Sequence, residues 1–90
     1  MYKLSYTKGF EKDLKRAVKR GYNIKLLEEV IDALEQTGNL DATYLPHKLK
    51  GVYSYCMECH IKPDWLLIWS QNNHSKEITL IGTGTHSDLF

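Results

Sequence analysis

Residues 53–69, YSYCMECHIKPDWLLIW, decide the fold, because here the apolar period changes from that of a helix to that of a strand. Tyr53, Tyr55, Met57, Cys59 and Ile61 alternate with Ser54, Cys56, Glu58 and His60. That spacing predicts a strand with one apolar and one polar face. KPD at 62–64 turns the chain, and WLLIW at 65–69 is apolar throughout, as a central strand covered on both faces would be. The stretch also contains Cys56-Met57-Glu58-Cys59-His60, which reads literally as a haem-attachment motif or half a zinc site. Three residues apart on a strand, the two cysteines would face opposite ways and could not share one metal or porphyrin. Cys59 then reads as a small buried hydrophobe and Cys56 as a half-exposed thiol without an evident role.

Working toward the N-terminus, residues 37–51, TGNLDATYLPHKLKG, lack a clean period and read as a connecting loop. Before it, Ile24, Leu27, Val30, Ile31 and Leu34 form a helical stripe behind Asn23 as N-cap. Phe10, Leu14, Ala17 and Val18 form another, capped by Thr7 and ended by Gly21. YKLSY at 2–6 alternates as a first strand. Toward the C-terminus, QNNHS is a turn, KEITLIG a last strand and TGTHSDLF a tail, with His74 a surface residue of that turn. The order β-α-α-β-β-β predicts a single α+β domain over residues 1–90: an antiparallel three-strand meander joined by the first strand and covered by an α-hairpin.

Composition, at 42% apolar and 26% charged residues, is ordinary for a globular chain. The opening MYKLSYTKGFEKD lacks the apolar core of a signal peptide, and no apolar run approaches a membrane span, so a cytoplasmic protein is expected. In such a compartment the two thiols are expected to be free, and haem attachment has no export route. The net charge of +1 conceals a segment, residues 8–20, with a local charge of +4. Lys8, Lys12, Lys15, Arg16, Lys19 and Arg20 make that helix a candidate polyanion contact, against the alternative of a merely solvated face.

Glu58 and His60 share the polar strand face; Asp64 and Trp65 lie across the turn; His47 lies in the loop, and His86 and Phe90 in the tail. Imidazoles on the open side of a sheet suit RNA cleavage. The 2′-hydroxyl must lose a proton and the departing 5′-oxygen must gain one, and histidine exchanges protons near neutrality. Amide or cationic donors would meet the phosphate charge, and an aromatic ring could hold an unstacked base. No cofactor is needed. A metal site from His60, Asp64 and His86 has no recognisable ligand spacing, and none is expected.

HKLKG (47–51), ECHIKPDWLLIW (58–69) and TGTHSDLF (83–90) resemble the YafQ branch of the RelE superfamily of bacterial toxins, and the resemblance runs end to end. It implies a small microbial-ribonuclease-like fold and the toxin of a type II toxin–antitoxin pair. The activity implied is ribosome-dependent, metal-independent endonucleolytic cleavage of mRNA in the A site, arresting translation and growth. The implied partners are mRNA, the ribosome and a small cognate antitoxin of the RelB or DinJ kind, with DNA contacted only through that antitoxin. The implied site is His47, His60, Asp64, Trp65, His86 and Phe90, with Glu58 as a further member. On this resemblance His86 is the general acid. His60, held by Asp64 or Glu58, is the base or fixes the 2′-hydroxyl; His47 contacts phosphate, and Phe90 and Trp65 orient the nucleotide. The products would be a 2′,3′-cyclic phosphate and a 5′-hydroxyl, and the basic helix would grip ribosomal RNA.

Two departures stand out. Relatives often carry arginine where this chain has Met57 and Gly82, and losing such a donor costs on the order of 10²-fold. Lys48, Lys50 or Lys62 could substitute. Without a substitute the chain would be a weakly active toxin-like protein serving as an antitoxin partner or co-repressor, or an RNA-binding module without chemistry.

Overall fold

The first helix begins where Thr7 accepts the amide of Phe10 at 3.0 Å, and the second where Asn23 accepts that of Lys25 at 3.2 Å. A computed structural model describes residues 1–90. Its elements are β1 (Lys3–Tyr6), α1 (Lys8–Lys19), α2 (Ile24–Thr37), β2 (His47–Lys48), β3 (Met57–Lys62), β4 (Trp65–Asn72), β5 (Glu77–Gly84) and α3 (His86–Leu89). Gly38 ends α2 at φ +73°, and a Cβ there would lie 2.5 Å from the Tyr2 ring, so both conformation and space demand glycine.

The five strands lie in the order β1-β5-β4-β3-β2. The α-hairpin carries the chain across the sheet, so β1 pairs with β5 in parallel; every other pairing is antiparallel. All five residues of WLLIW are buried. Trp65, Leu67 and Trp69 join Phe10, Leu27, Val30 and Leu34 in the main core, while Leu66 and Ile68 are buried outside that cluster. This is the mixed α+β architecture expected, with β4 at the centre of the sheet. No helix is long and apolar enough to cross a membrane.

Four local expectations are corrected. His47–Lys48 is not loop but a two-residue edge strand, with His47 opposite Glu58 and Lys48 opposite Met57. Two residues carry no readable period; the partner strand supplies the order. β3 starts at Met57 rather than Tyr53, because Gly51–Tyr53 closes a 3₁₀ turn that takes Tyr53 and Tyr55 out of the alternation. Cys56 is therefore not a half-exposed strand residue; it is fully buried beside that turn. Both thiols are free, and burial raises each, Cys59 to about 12. Finally, β5 runs on to Gly84 and the tail folds into α3, where Thr85 and Asp88 bond each other's amides reciprocally. A Thr-x-x-Asp pattern at 85–88 was a legible start signal for that turn.

Candidate active site

The edge pairing of β2 with β3 sets His47 against Glu58, and the pleat puts His60 on the same face as Glu58. The β3–β4 turn supplies Asp64, and the first residue of α3 supplies His86. Three imidazoles result, with His60 in the middle: its ring centre lies 6.1 Å from that of His47 and 5.9 Å from that of His86.

Each ring has the same kind of anchor. Nδ1 lies 2.8 Å from the Leu45 carbonyl in His47, 3.2 Å from the Pro63 carbonyl in His60 and 2.7 Å from Asp64 Oδ1 in His86. A carbonyl or carboxylate oxygen only accepts, so Nδ1 carries the hydrogen in each, and Nε2 is left as the nitrogen that can exchange a proton. Asp64 also accepts the backbone amide of His86 at 3.0 Å. That bond, with the ring bond second, holds the Asp64 carboxyl below the usual aspartate range, so it is ionised where it grips His86. Glu58 sits beneath the row with its side chain 6% exposed; Oε1 is 3.1 Å from His47 Nε2 and 3.9 Å from His60 Nε2. Oε2 has no hydrogen-bond partner.

The structure brings His47, Glu58, His60, Asp64 and His86 together. Of the two carboxylates expected beside His60, Glu58 is the one next to it, and Asp64 holds His86, because the turn and the start of α3 meet. Trp65 is 4% exposed, donates Nε1–H to Thr83 Oγ1 at 2.9 Å and packs edge-on to Tyr22; what it shows lines the depression it shares with Asp64. Phe90 is exposed and packs edge-on to Tyr53 at 5.7 Å, a residue the sequence did not single out.

The cations also divide. Arg20 donates to both carboxylate oxygens of Asp88, at 2.6 and 3.1 Å, and Arg16 reaches Asp13 at 3.1 Å and the Thr83 carbonyl at 3.4 Å. Of these two arginines, Arg20 ties α1 to α3 and Arg16 ties α1 to the end of β5. Lys8, Lys12, Lys15 and Lys19 stay on the exposed face, Lys15 with Glu11 at 3.7 Å. Met57 packs against the core, and the space beside Gly82 is taken by Asp13 and Leu89, so neither position can present a cation to the imidazoles. Of the lysines that could substitute, Lys62 lines an open depression of about 310 Å³ with Asp64 and another of about 380 Å³ with His60. Lys48 lines a depression with Tyr55 and Gln71 instead, and Lys50 is exposed. His60 lines the second of these, and His47 and His86 are exposed beside it.

The clamp on α3 should respond to acid. The Arg20 guanidinium, helped by the Thr85 amide, holds the Asp88 carboxyl well below its ordinary value of 3.8. A depressed folded value means stabilisation that is complete above the ordinary value and lost as pH falls through the folded one. From about pH 5 to about pH 3, the protection of the Thr85 and Asp88 amides relative to their intrinsic exchange is expected to fall while that of β4 holds, and Asp88→Asn should abolish the difference. Uniform exchange across both elements in that series would show that the clamp does not hold α3.

A short histidine-bearing helix closes a five-stranded sheet that is itself backed by a helical hairpin. A family model described as "Bacterial toxin of type II toxin-antitoxin system, YafQ" matches residues 2–90, and the chain belongs to that family. It is similar to the mRNA interferase toxin YafQ of Escherichia coli strain K12, at 33% identity over 88 residues, covering 97% of this chain and 94% of the relative. The toxin in the crystal structure of the E. coli DinJ–YafQ complex superposes with a TM-score of 0.89 at 31% identity, covering 100% of this chain and 99% of that one. A metal-bound toxin from Helicobacter pylori superposes with a TM-score of 0.90 at 39% identity, with full coverage of both chains.

Proposed function

We propose that this toxin is an endoribonuclease that cuts mRNA by acid–base catalysis between its imidazoles. The observation that carries this reading is the row of three rings, each fixed through Nδ1, with neighbouring centres about 6 Å apart. That spacing lets a single phosphodiester be flanked by two Nε2 atoms. His60 Nε2 takes the 2′-hydroxyl proton as the 2′-oxygen attacks phosphorus; His86 Nε2 gives its proton to the departing 5′-oxygen. One P–O bond forms and one breaks, leaving a 2′,3′-cyclic phosphate and a 5′-hydroxyl. Glu58 orients the central ring, His47 and Lys62 face the phosphate, and Phe90, exposed just after α3, orients the nucleotide.

The relative named mRNA interferase supports RNA as substrate, and the DinJ–YafQ complex supports a DinJ-like antitoxin as partner. The open histidine surface suits an RNA presented by another body, and four exposed lysines of α1 suit the backbone of ribosomal RNA. On this reading the protein acts on translating ribosomes, and needs no metal.

Mapping of 5′ ends tests it. New 5′-hydroxyl ends are expected at defined positions on a transcript under translation, and few on the same transcript without ribosomes. An unchanged transcript in both, from folded protein, would reject the enzyme and leave a partner of an antitoxin without chemistry. Equal cutting of both would reject ribosome dependence alone.

A further inference from the structure

Two open depressions share Lys62. One, of about 380 Å³, has His60 in its wall with Thr43, Leu45, Ile61 and Pro63. The other, of about 310 Å³, has Asp64, the residue that holds His86, together with Tyr22, Asn23, Leu26 and Trp65. Only the second is walled by benzenoid or indole rings, and its surface is almost wholly carbon. Tyr22 and Trp65 meet edge to face, with ring centres 4.8 Å apart at 62°. Trp65 is buried and gives its indole N–H to Thr83, so the half-buried Tyr22 supplies most of the accessible ring. Leu26 stands four residues further on. At the mouth, Asn23 uses Oδ1 to accept the Lys25 amide at 3.2 Å, which leaves its NH₂ group as a donor beside the charged ends of Lys62 and Asp64.

We infer that this recess receives the nucleobase on the 3′ side of the cut bond, with Tyr22 and Leu26 as its binding residues; the inference rests on the ribonuclease reading. An unstacked base needs an aromatic or apolar wall for its face and polar groups for its edge, and the recess offers both. At about 300 Å³, near the lower end for ligand pockets, it suits one flat ring system and not a longer segment. The direction follows from the proton donor. His86 protonates the departing 5′-oxygen, and that oxygen belongs to the nucleotide 3′ of the cut. Asp64 touches the His86 ring at 2.7 Å and is itself part of the wall, so this nucleotide begins at the mouth of the recess. His60, which takes the 2′-hydroxyl proton, lines the other depression, on the side of the nucleotide 5′ of the cut. Lys62, common to both, stands where the phosphate between them would lie. Nothing in the sequence marked Tyr22 or Leu26, since the recess exists only where the start of α2 meets the β3–β4 turn.

Two measurements test it. In the first, the full chain is titrated with 5′-hydroxyl trinucleotides, GpUpU and UpUpU, which carry the end that the cut would release, and is followed by NMR. The Trp65 indole resonance is expected to shift saturably while that of Trp69, whose N–H is held by Gln71, stays in place. Tyr22→Ala should abolish the shift. Absence of a saturable Trp65 shift with both probes would overturn the inference. In the second, ribosomes are programmed with a synthetic mRNA whose nucleotide just 3′ of the cut bond is an abasic ribose, and single-turnover cleavage is measured. The native protein should lose about tenfold on that RNA, Tyr22→Ala about tenfold on the intact RNA, and the two changes together no more than either alone. Tyr22→Phe should recover most of the loss, and circular dichroism checks that each variant is folded. Losses that multiply would show that Tyr22 acts through the fold and would overturn the inference, as would coupling to an abasic ribose 5′ of the cut instead. Weaker antitoxin binding by Tyr22→Ala with cleavage unchanged would overturn it in favour of a protein side chain in the recess. If the native protein cuts no RNA, the ribonuclease reading fails, and the titration alone decides whether a base enters.

Discussion

Replacing His86 with alanine is expected to slow single-turnover RNA cleavage by about 10²–10⁴-fold, the range for a lost general acid. The fold should not follow it down. The His86 side chain is 56% exposed, and the amide that bonds Asp64 at 3.0 Å belongs to the backbone and survives the substitution. The capping pair of Thr85 and Asp88 also survives. Thermal unfolding within about 2 °C of the native protein, beside a cleavage rate lowered by at least 10²-fold, is the expected pair of results. A rate within threefold of native in such a well-folded variant would move the proton donor to another group. Growth on induced expression offers a parallel measure, with the native chain arresting cells and the variant sparing them at equal protein level.

Glu58→Met should separate activity from stability in opposite directions. The native carboxylate is buried with one oxygen unpartnered, an arrangement that costs about 1–3 kcal/mol. Methionine has similar volume and no polar atom, and replacing buried ionic groups with apolar ones is often neutral or stabilising. His47, left without its neighbour, is 47% exposed on its side chain and can turn to water. Cleavage is expected to fall by about 10²-fold as the central ring loses its orienting carboxylate, while the midpoint of denaturant unfolding stays level or rises. A variant that loses stability by more than about 2 kcal/mol would show that Glu58 holds the sheet edge together, and that its burial serves the fold.

Much of the scaffold was legible because its signals are local. Thr7 and Asn23 announce their helices, and WLLIW announces a strand with no exposed side. What was not legible was made by one segment meeting another. The β2 strand exists only because His47–Lys48 meets Glu58 and Met57, and the resemblance left either Glu58 or Asp64 to hold His60. In space the turn lies nearer to the start of α3, so the carboxylate serves His86. Trp65 follows strand parity: one residue after an exposed Asp64, the pleat turns it inward onto Tyr22 and Thr83. The basic helix reads as uniform in the sequence, yet Asp88, 68 positions from Arg20, gives that arginine a partner that the lysines lack.

The anchors of the three rings differ in one respect that matters for how such a protein can change. Main-chain oxygens of Leu45 and Pro63 steady two of them, and no substitution of a side chain deletes a peptide carbonyl. The third depends on the carboxylate of Asp64, which a single codon can remove or reshape. Lineages drifting in sequence would thus keep two rings aimed almost by default, while the remaining one is open to adjustment. The aim of that ring could be altered there without dismantling the rest.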